Sequence, residues 1–181
     1  MTESYSIPES NFLIEEEIKH SRFISFLFHC PSQDVLKLTL TNIKQEYPGA
    51  SHYCYAYVAG APSDMVNIGS SDDGEPAGSA GRPMLASLQG ANVGEVGAIV
   101  VRYFGGVKLG VGGLISAYKT TAQLALENAN IVEKTIDVAF IISFGYAHMN
   151  KVMRIIKEKN LQIIAQKMEL DCEIEIAIRK K

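Results

Sequence analysis

Residues 70–113 read SSDDGEPAGSAGRPMLASLQGANVGEVGAIVVRYFGGVKLGVGG, and five of the chain's 15 glycines fall within 105–113. Glycine loses more backbone freedom on folding than any other residue, so a cluster marks backbone that bends unusually or approaches something closely. Two such loops flank an apolar run, 96–101, that reads as a buried strand. Both loops carry charge: Asp72, Asp73, Glu75 and Arg82 on the first, Arg102 and Lys108 at the second. A functional site is expected here.

Working upstream, 52–58 (HYCYAYV) reads as a strand and 60–81 as a long polar loop, of the kind that is usually functional. Before it, Leu36, Leu40, Ile43 and Tyr47 keep helical spacing, with Ser32 as N-cap and Pro48-Gly49 as the stop. Residues 12–18 and 23–28 read as two further strands. Inside the central stretch, Pro83 stands where a first helical position is expected, and the short helix ends at Gly90. Downstream, 96–103 is a strand. Leu114, Tyr118, Thr121, Ala122 and Ala125 then form the buried face of a helix that opens at Gly113 and runs to about Asn128.

After Asn130 the pattern changes. Ile136, Val138, Phe140, Ile142 and Phe144 alternate as in a half-buried antiparallel strand. A helix follows (Met149, Val152, Met153, Ile156), then LQIIAQ and CEIEIAI as two strands. This β-α-β-β order is the first part of a split β-α-β motif, short of a second helix and a final strand. The expected division is a larger domain over 1–132 and a small one over 133–181, in an α+β protein.

Composition bounds the chemistry. A hydrophobic fraction of 47% and a charged fraction of 20% belong to a globular chain, and a net charge of -3 supplies no global attraction to nucleic acid. Cys30, Cys54 and Cys172 are odd in number, widely spaced and without a CxxC pair, which argues against a disulfide framework and against structural zinc. Free thiols suit a reducing compartment. The N-terminus lacks the basic and apolar regions of a signal peptide, and no apolar run approaches the ~20 residues of a membrane span. A cytoplasmic protein without membrane contact is expected, with no cofactor and no metal.

Nucleotide fingerprints fail on spacing. Gly105 and Gly110 have the P-loop gap, but Val111 occupies the lysine position. Gly110 and Gly112 begin a dinucleotide motif whose last glycine position is Ile115. An anion held by glycine-freed amides beside Lys108 survives as a general possibility, against a tight strand-to-helix turn. His52 and Cys54 share one strand face, at a spacing wide for a nucleophile–base pair; the alternative is a buried thiol beside a histidine bonded to the acidic loop, which is preferred. Asp72, Asp73 and Glu75 of the acidic loop supply acid–base groups, hold a divalent cation, or neutralise Arg82, Arg102 and Lys108 internally, the last being the more economical reading.

The two motifs SSDDGEPAGSAGRPMLASL and IVVRYFGGVKLGVGGLISAYKTTA, with HYCYAYV and the early Ser21-Arg22-Phe23, closely resemble the signature of the bacterial, YigZ-type branch of the IMPACT family. That resemblance implies an N-terminal domain with the β-α fold of a small-subunit ribosomal protein and of elongation factor G domain IV, and a ferredoxin-like C-terminal domain. Eukaryotic relatives are translation regulators. They bind the activator of an amino-acid-starvation kinase alongside an extra domain not seen here, so that partner is not carried over. A dipeptidase assignment finds no metal-ligand set among these residues.

Two functions compete. The first is a translation-related binding module that contacts the ribosome, RNA or a protein partner. It would use Arg82, Arg102, Tyr103, Phe104, Lys108 and Lys119 around Gly105, Gly106, Gly110, Gly112 and Gly113. The second is an enzyme for a small anionic substrate, with His52, Asp73 and Glu75 as acid–base candidates. The first is preferred because the catalytic set is incomplete.

Overall fold

The computed structural model describes residues 4–135 and 137–179. Two compact units divide the described residues, Tyr5–Lys134 and a second that groups Ser4 with the segment from Thr135 onward.

The first unit is built on five antiparallel strands in the order β2-β3-β6-β4-β5. They are β2 (Phe12–Ile18), β3 (Ser21–His29), β4 (His52–Val58), β5 (Ile68–Ser71) and β6 (Val96–Tyr103). The apolar run is the central strand, β6, and it is buried from Val96 to Arg102 because both faces are covered. Residues two apart on a strand point the same way. Ile99 and Val101 therefore pack with Leu36 and Ile43 of α1 (Gln33–Glu46). Ala98 and Val100 pack with Met84 and Leu88 of α2 (Gly81–Gly90) and with Leu114, Tyr118 and Ala122 of α3 (Gly110–Asn128). The result is three layers, with one helix on one face and two on the other.

Helix α1 starts as its sequence requires: the Ser32 hydroxyl accepts the Val35 amide at 3.3 Å. Helix α2 begins two residues before Pro83, so the proline sits in the first turn, where a missing N–H costs nothing. Helix α3 opens at Gly110 rather than Gly113; Gly110 has φ of +77°, which favours glycine.

Three strands were not legible in the pattern. Residues 60–81 are not all loop: β5 pairs with β4 from Tyr55↔Ser71 to Val58↔Ile68. Strands β1 (Ser4–Pro8) and β7 (Ile131–Thr135) form a separate two-stranded sheet. Glu95 ties Tyr5 of β1, His29 of β3 and Lys134 of β7 together, accepting from His29 Nε2 at 2.8 Å and Lys134 Nζ at 2.7 Å.

The second unit has strands β8 (Asp137–Gly145), β9 (Gln162–Met168) and β10 (Asp171–Arg179), with α4 (Met149–Glu158) between β8 and β9. Strand β10 is antiparallel to both others and lies between them, so β8 and β9 are parallel and joined through α4. This is a split β-α-β arrangement. Ile142, Phe144, Ile174 and Ile176 pack with Val152, Met153 and Ile156 of α4. Of the alternating positions read in the sequence, Ile136 and the side chain of Val138 lie outside the described residues.

Candidate functional site

The register of β4 and β6 sets His52 directly beside Arg102, and that of β3 and β6 sets Phe23 on the other side of Arg102. Arg102 points to the α3 face and is only 5% exposed. A guanidinium in that position must be neutralised and hydrogen-bonded. The loop after β5 brings Glu75 in to do so: Arg102 Nη1 donates to both Glu75 oxygens at 2.9 Å. Its Nε and Nη2 donate to the Ser21 hydroxyl at 3.3 Å. The Phe23 and Phe104 rings lie 5.7 and 5.5 Å from the guanidinium carbon.

Glu75 is itself buried and serves more than Arg102. The Tyr118 hydroxyl, from α3, donates to Glu75 Oε2 at 2.6 Å. His52 Nε2 lies 3.1 Å from Oε1. His52 Nδ1 is 2.7 Å from the Asp73 carbonyl oxygen, which can only accept, so Nδ1 carries a hydrogen. Burial pushes the Tyr118 phenol far above its ordinary range, with Cys54 and Glu75 adding to the shift.

The other two acids hold the loop. Asp72 accepts the amides of Gly78, Ala80 and Gly81 at 2.9, 3.1 and 2.8 Å, so it caps the start of α2 from outside the helix. Partial burial would raise its pKa, but those backbone donors outweigh it and hold the carboxyl below the ordinary value. Asp73 Oδ2 accepts the Tyr53 amide at 2.7 Å. The Cys54 thiol is fully buried and donates to the Asp72 carbonyl. Burial pushes its pKa up to about 12, which removes it as a nucleophile at neutral pH.

Above this network lies a cleft of about 410 Å³, lined by His52, Glu75, Arg102, Phe104, Lys108, Gly110, Val111 and Leu114 among others. Its floor is the satisfied polar network. Its rim is different: Phe104 and Val111 are 49 and 53% exposed, with Val107, next to Lys108 in the chain, at 41% and Ile115, one turn of α3 further on, at 38%. Lys108 stands exposed on the same rim.

The segment that builds this cleft decides the family: residues 19–126 match the Impact N-terminal domain. The chain belongs to the IMPACT family. It is similar to an IMPACT family member of Haemophilus influenzae, 42% identical over 180 residues, 98% of this chain and 86% of that protein. It is likewise 42% identical over 162 residues to the IMPACT family member YigZ of Escherichia coli, covering 90% and 79% of the two chains. A crystal structure titled only as that of a hypothetical protein superposes with a TM-score of 0.78 at 39% identity, over 98% of this chain and 86% of its own. The chain is thus a bacterial, YigZ-type IMPACT protein with a mixed α/β, two-unit structure.

In this IMPACT protein the sequence candidates are only partly gathered. His52, Glu75, Arg102, Phe104, Lys108 and Gly110 share the cleft, whereas the Asp73 carboxylate is turned to the Tyr53 backbone. Tyr103 faces the α1 side and donates to the Pro48 carbonyl at 3.2 Å. Arg82 is exposed in the first turn of α2, and Lys119 lines a separate groove between α2 and α3 with Ser87 and Gln123. Gly105 packs against the His20 carbonyl, Gly106 and Gly112 face open space, and Gly113 meets Leu109. The sequence places Tyr118 only in the core and Ser21 only in the family signature, with no role at the site for either. A tyrosine on an otherwise apolar buried face was the available signal, because its hydroxyl needs a partner. Among the described residues no group of three His, Cys, Asp or Glu side chains is placed to hold a metal ion.

Proposed function

We propose that this IMPACT protein is a binding module of the translation apparatus whose cleft rim docks a protein partner. One observation carries the reading. The charged groups of the cleft floor are committed to one another, Glu75 taking Arg102, His52 and Tyr118 at once, while Lys108 and the apolar rim are left to solvent. A catalytic base or anion clamp needs unspent hydrogen-bonding capacity; a docking face needs exposed apolar side chains beside a few charges. Phe104, Val107, Val111 and Ile115 provide the second, and Lys108 favours an acidic flank on the partner. Burying a Val or Phe side chain fully contributes about 1.5–3 kcal/mol, so a few such anchors suffice for specific association.

The setting in translation rests on family membership and on the resemblance to elongation factor G domain IV. The β8-β10-β9 order supports the ferredoxin-like reading of the second unit, and the break in contacts near Lys134 supports a two-domain division.

Co-sedimentation with ribosomes at about 50 and about 200 mM salt tests the reading. Association that persists at the higher salt and is lost in Phe104→Ala and Val111→Asp supports it. No association at either salt removes it. Association that collapses with salt and survives Phe104→Ala makes RNA phosphate the ligand of the rim instead.

A further inference from the structure

Helix α4 carries Lys151, Arg154 and Lys157 three residues apart, with Lys159 at its end, against the single acid Glu158. Three-residue spacing places them along one ridge of the helix. All four are exposed. The opposite side, Val152, Met153 and Ile156, is packed on the sheet of the second unit. Among the described residues α4 makes one ion pair, Arg154 to Glu158 at 3.9 Å, with both side chains 68% exposed. Such a pair holds the guanidinium only weakly. Beside the ridge runs a groove of about 550 Å³ that Arg154, Lys157, Asn150 and Asn160 border over a floor of Met153 and Ile156.

A basic amphipathic helix has two usual readings: a membrane-surface helix, or a cationic face for a polyanion. Here Val152, Met153 and Ile156 are already packed on the protein's own core, and Ile155, 41% exposed, is the one large apolar side chain α4 leaves to solvent, too little to seat a helix in lipid. What remains is a row of cations and amides above a shallow groove, in a chain whose net charge is -3. Like charges kept together against that background complement a phosphodiester chain, whose phosphates repeat along one line.

We infer that the ridge Lys151–Arg154–Lys157 of α4 is a contact surface for RNA phosphates. It is independent of the cleft in the first unit and stands whether or not that cleft docks a protein.

The test is a titration of a fluorescently labelled single-stranded RNA with the full chain over a range of salt. Binding should weaken as salt rises. The variant K151Q/R154Q/K157Q should bind about 10-fold or more weakly at low salt, with a log–log salt slope shallower by about 2, at ~0.7 per lost contact. Lys37→Gln, which removes an exposed cation from α1, should change neither. If the triple variant melts early, Lys157→Gln alone should still flatten the slope by about 0.7. Three results would overturn the assignment: no binding by the wild-type chain at low salt, unchanged affinity and slope in the variants, or retention on phosphatidylserine vesicles without binding to RNA.

Discussion

Arg102 and Glu75 form an ion pair with almost no access to water: their side chains are 6 and 3% exposed, and one guanidinium nitrogen meets both carboxylate oxygens. Such a pair is costly to assemble and costlier to halve, because removing one partner strands the other charge in the interior. Glu75→Ala should destabilise the chain by about 3–5 kcal/mol, and Arg102→Ala by a similar amount. The double variant should cost clearly less than the sum, since each single change already breaks the same network. Urea titrations of the four proteins check this; additive losses would mean that the two side chains do not stabilise each other.

Asp72 makes stability depend on acid pH. Its pKa lies below the ordinary 3.8 because three backbone amides outweigh the effect of burial. Glu95 lies below 4.5 because donation from Lys134, Tyr5 and His29 likewise outweighs burial. A carboxyl depressed in the folded state contributes stability that is complete above its unfolded value and lost as pH falls through the folded one. Thermal melting should therefore be flat with respect to these groups near neutrality and fall below pH 3.8–4.5. Asp72→Asn should cost about 1 kcal/mol at neutral pH and show a shallower acid decline than the parent. An identical acid profile in the variant would remove Asp72 from the account.

The glycines of the second loop should separate into two kinds. A β-carbon at Gly105 would land on the His20 carbonyl oxygen, so Gly105→Ala should be destabilising. Gly112 lies in the first turn of α3 with nothing within 4 Å of the same atom. Gly112→Ala should raise stability by about 0.4–1 kcal/mol through the unfolded chain. If that variant melts higher yet loses its partner, Gly112 is kept for close approach of the partner rather than for folding.

Cys54 should be silent toward alkylating agents in the folded protein. Its thiol is fully buried and pushed up to about 12, so almost no thiolate exists at pH 8. Mass spectrometry after iodoacetamide treatment should find Cys54 labelled only once denaturant unfolds the chain; rapid native labelling would contradict the buried site.

The parts of this structure legible from sequence are those whose side chains repeat. Strand β4 and helix α1 stand where spacing and the Ser32 cap put them, because their apolar residues recur with one period across several turns or pleats. Strand β5, IGSS, has no such period; it is held by pairing with β4, and Gly69 gives the Tyr57 ring its place, a relation between segments that composition cannot display. The site follows the same rule. That the acidic loop and Arg102 belong together followed from charge balance. That Glu75, and neither Asp72 nor Asp73, takes the arginine depends on where β5 releases the chain, and Asp72 and Asp73 turn out to be holding backbone amides instead.

In the second unit the latest of its three described strands, β10, is the middle one. During synthesis β8, α4 and β9 must therefore wait as chain without a sheet, since neither strand has a neighbour until β10 has been made. Domains generally fold as units as the chain is made. By order of synthesis, the first unit can be complete while the second, with its cationic helix, is still unfolded. That helix takes up its place on the sheet only once β10 has been made.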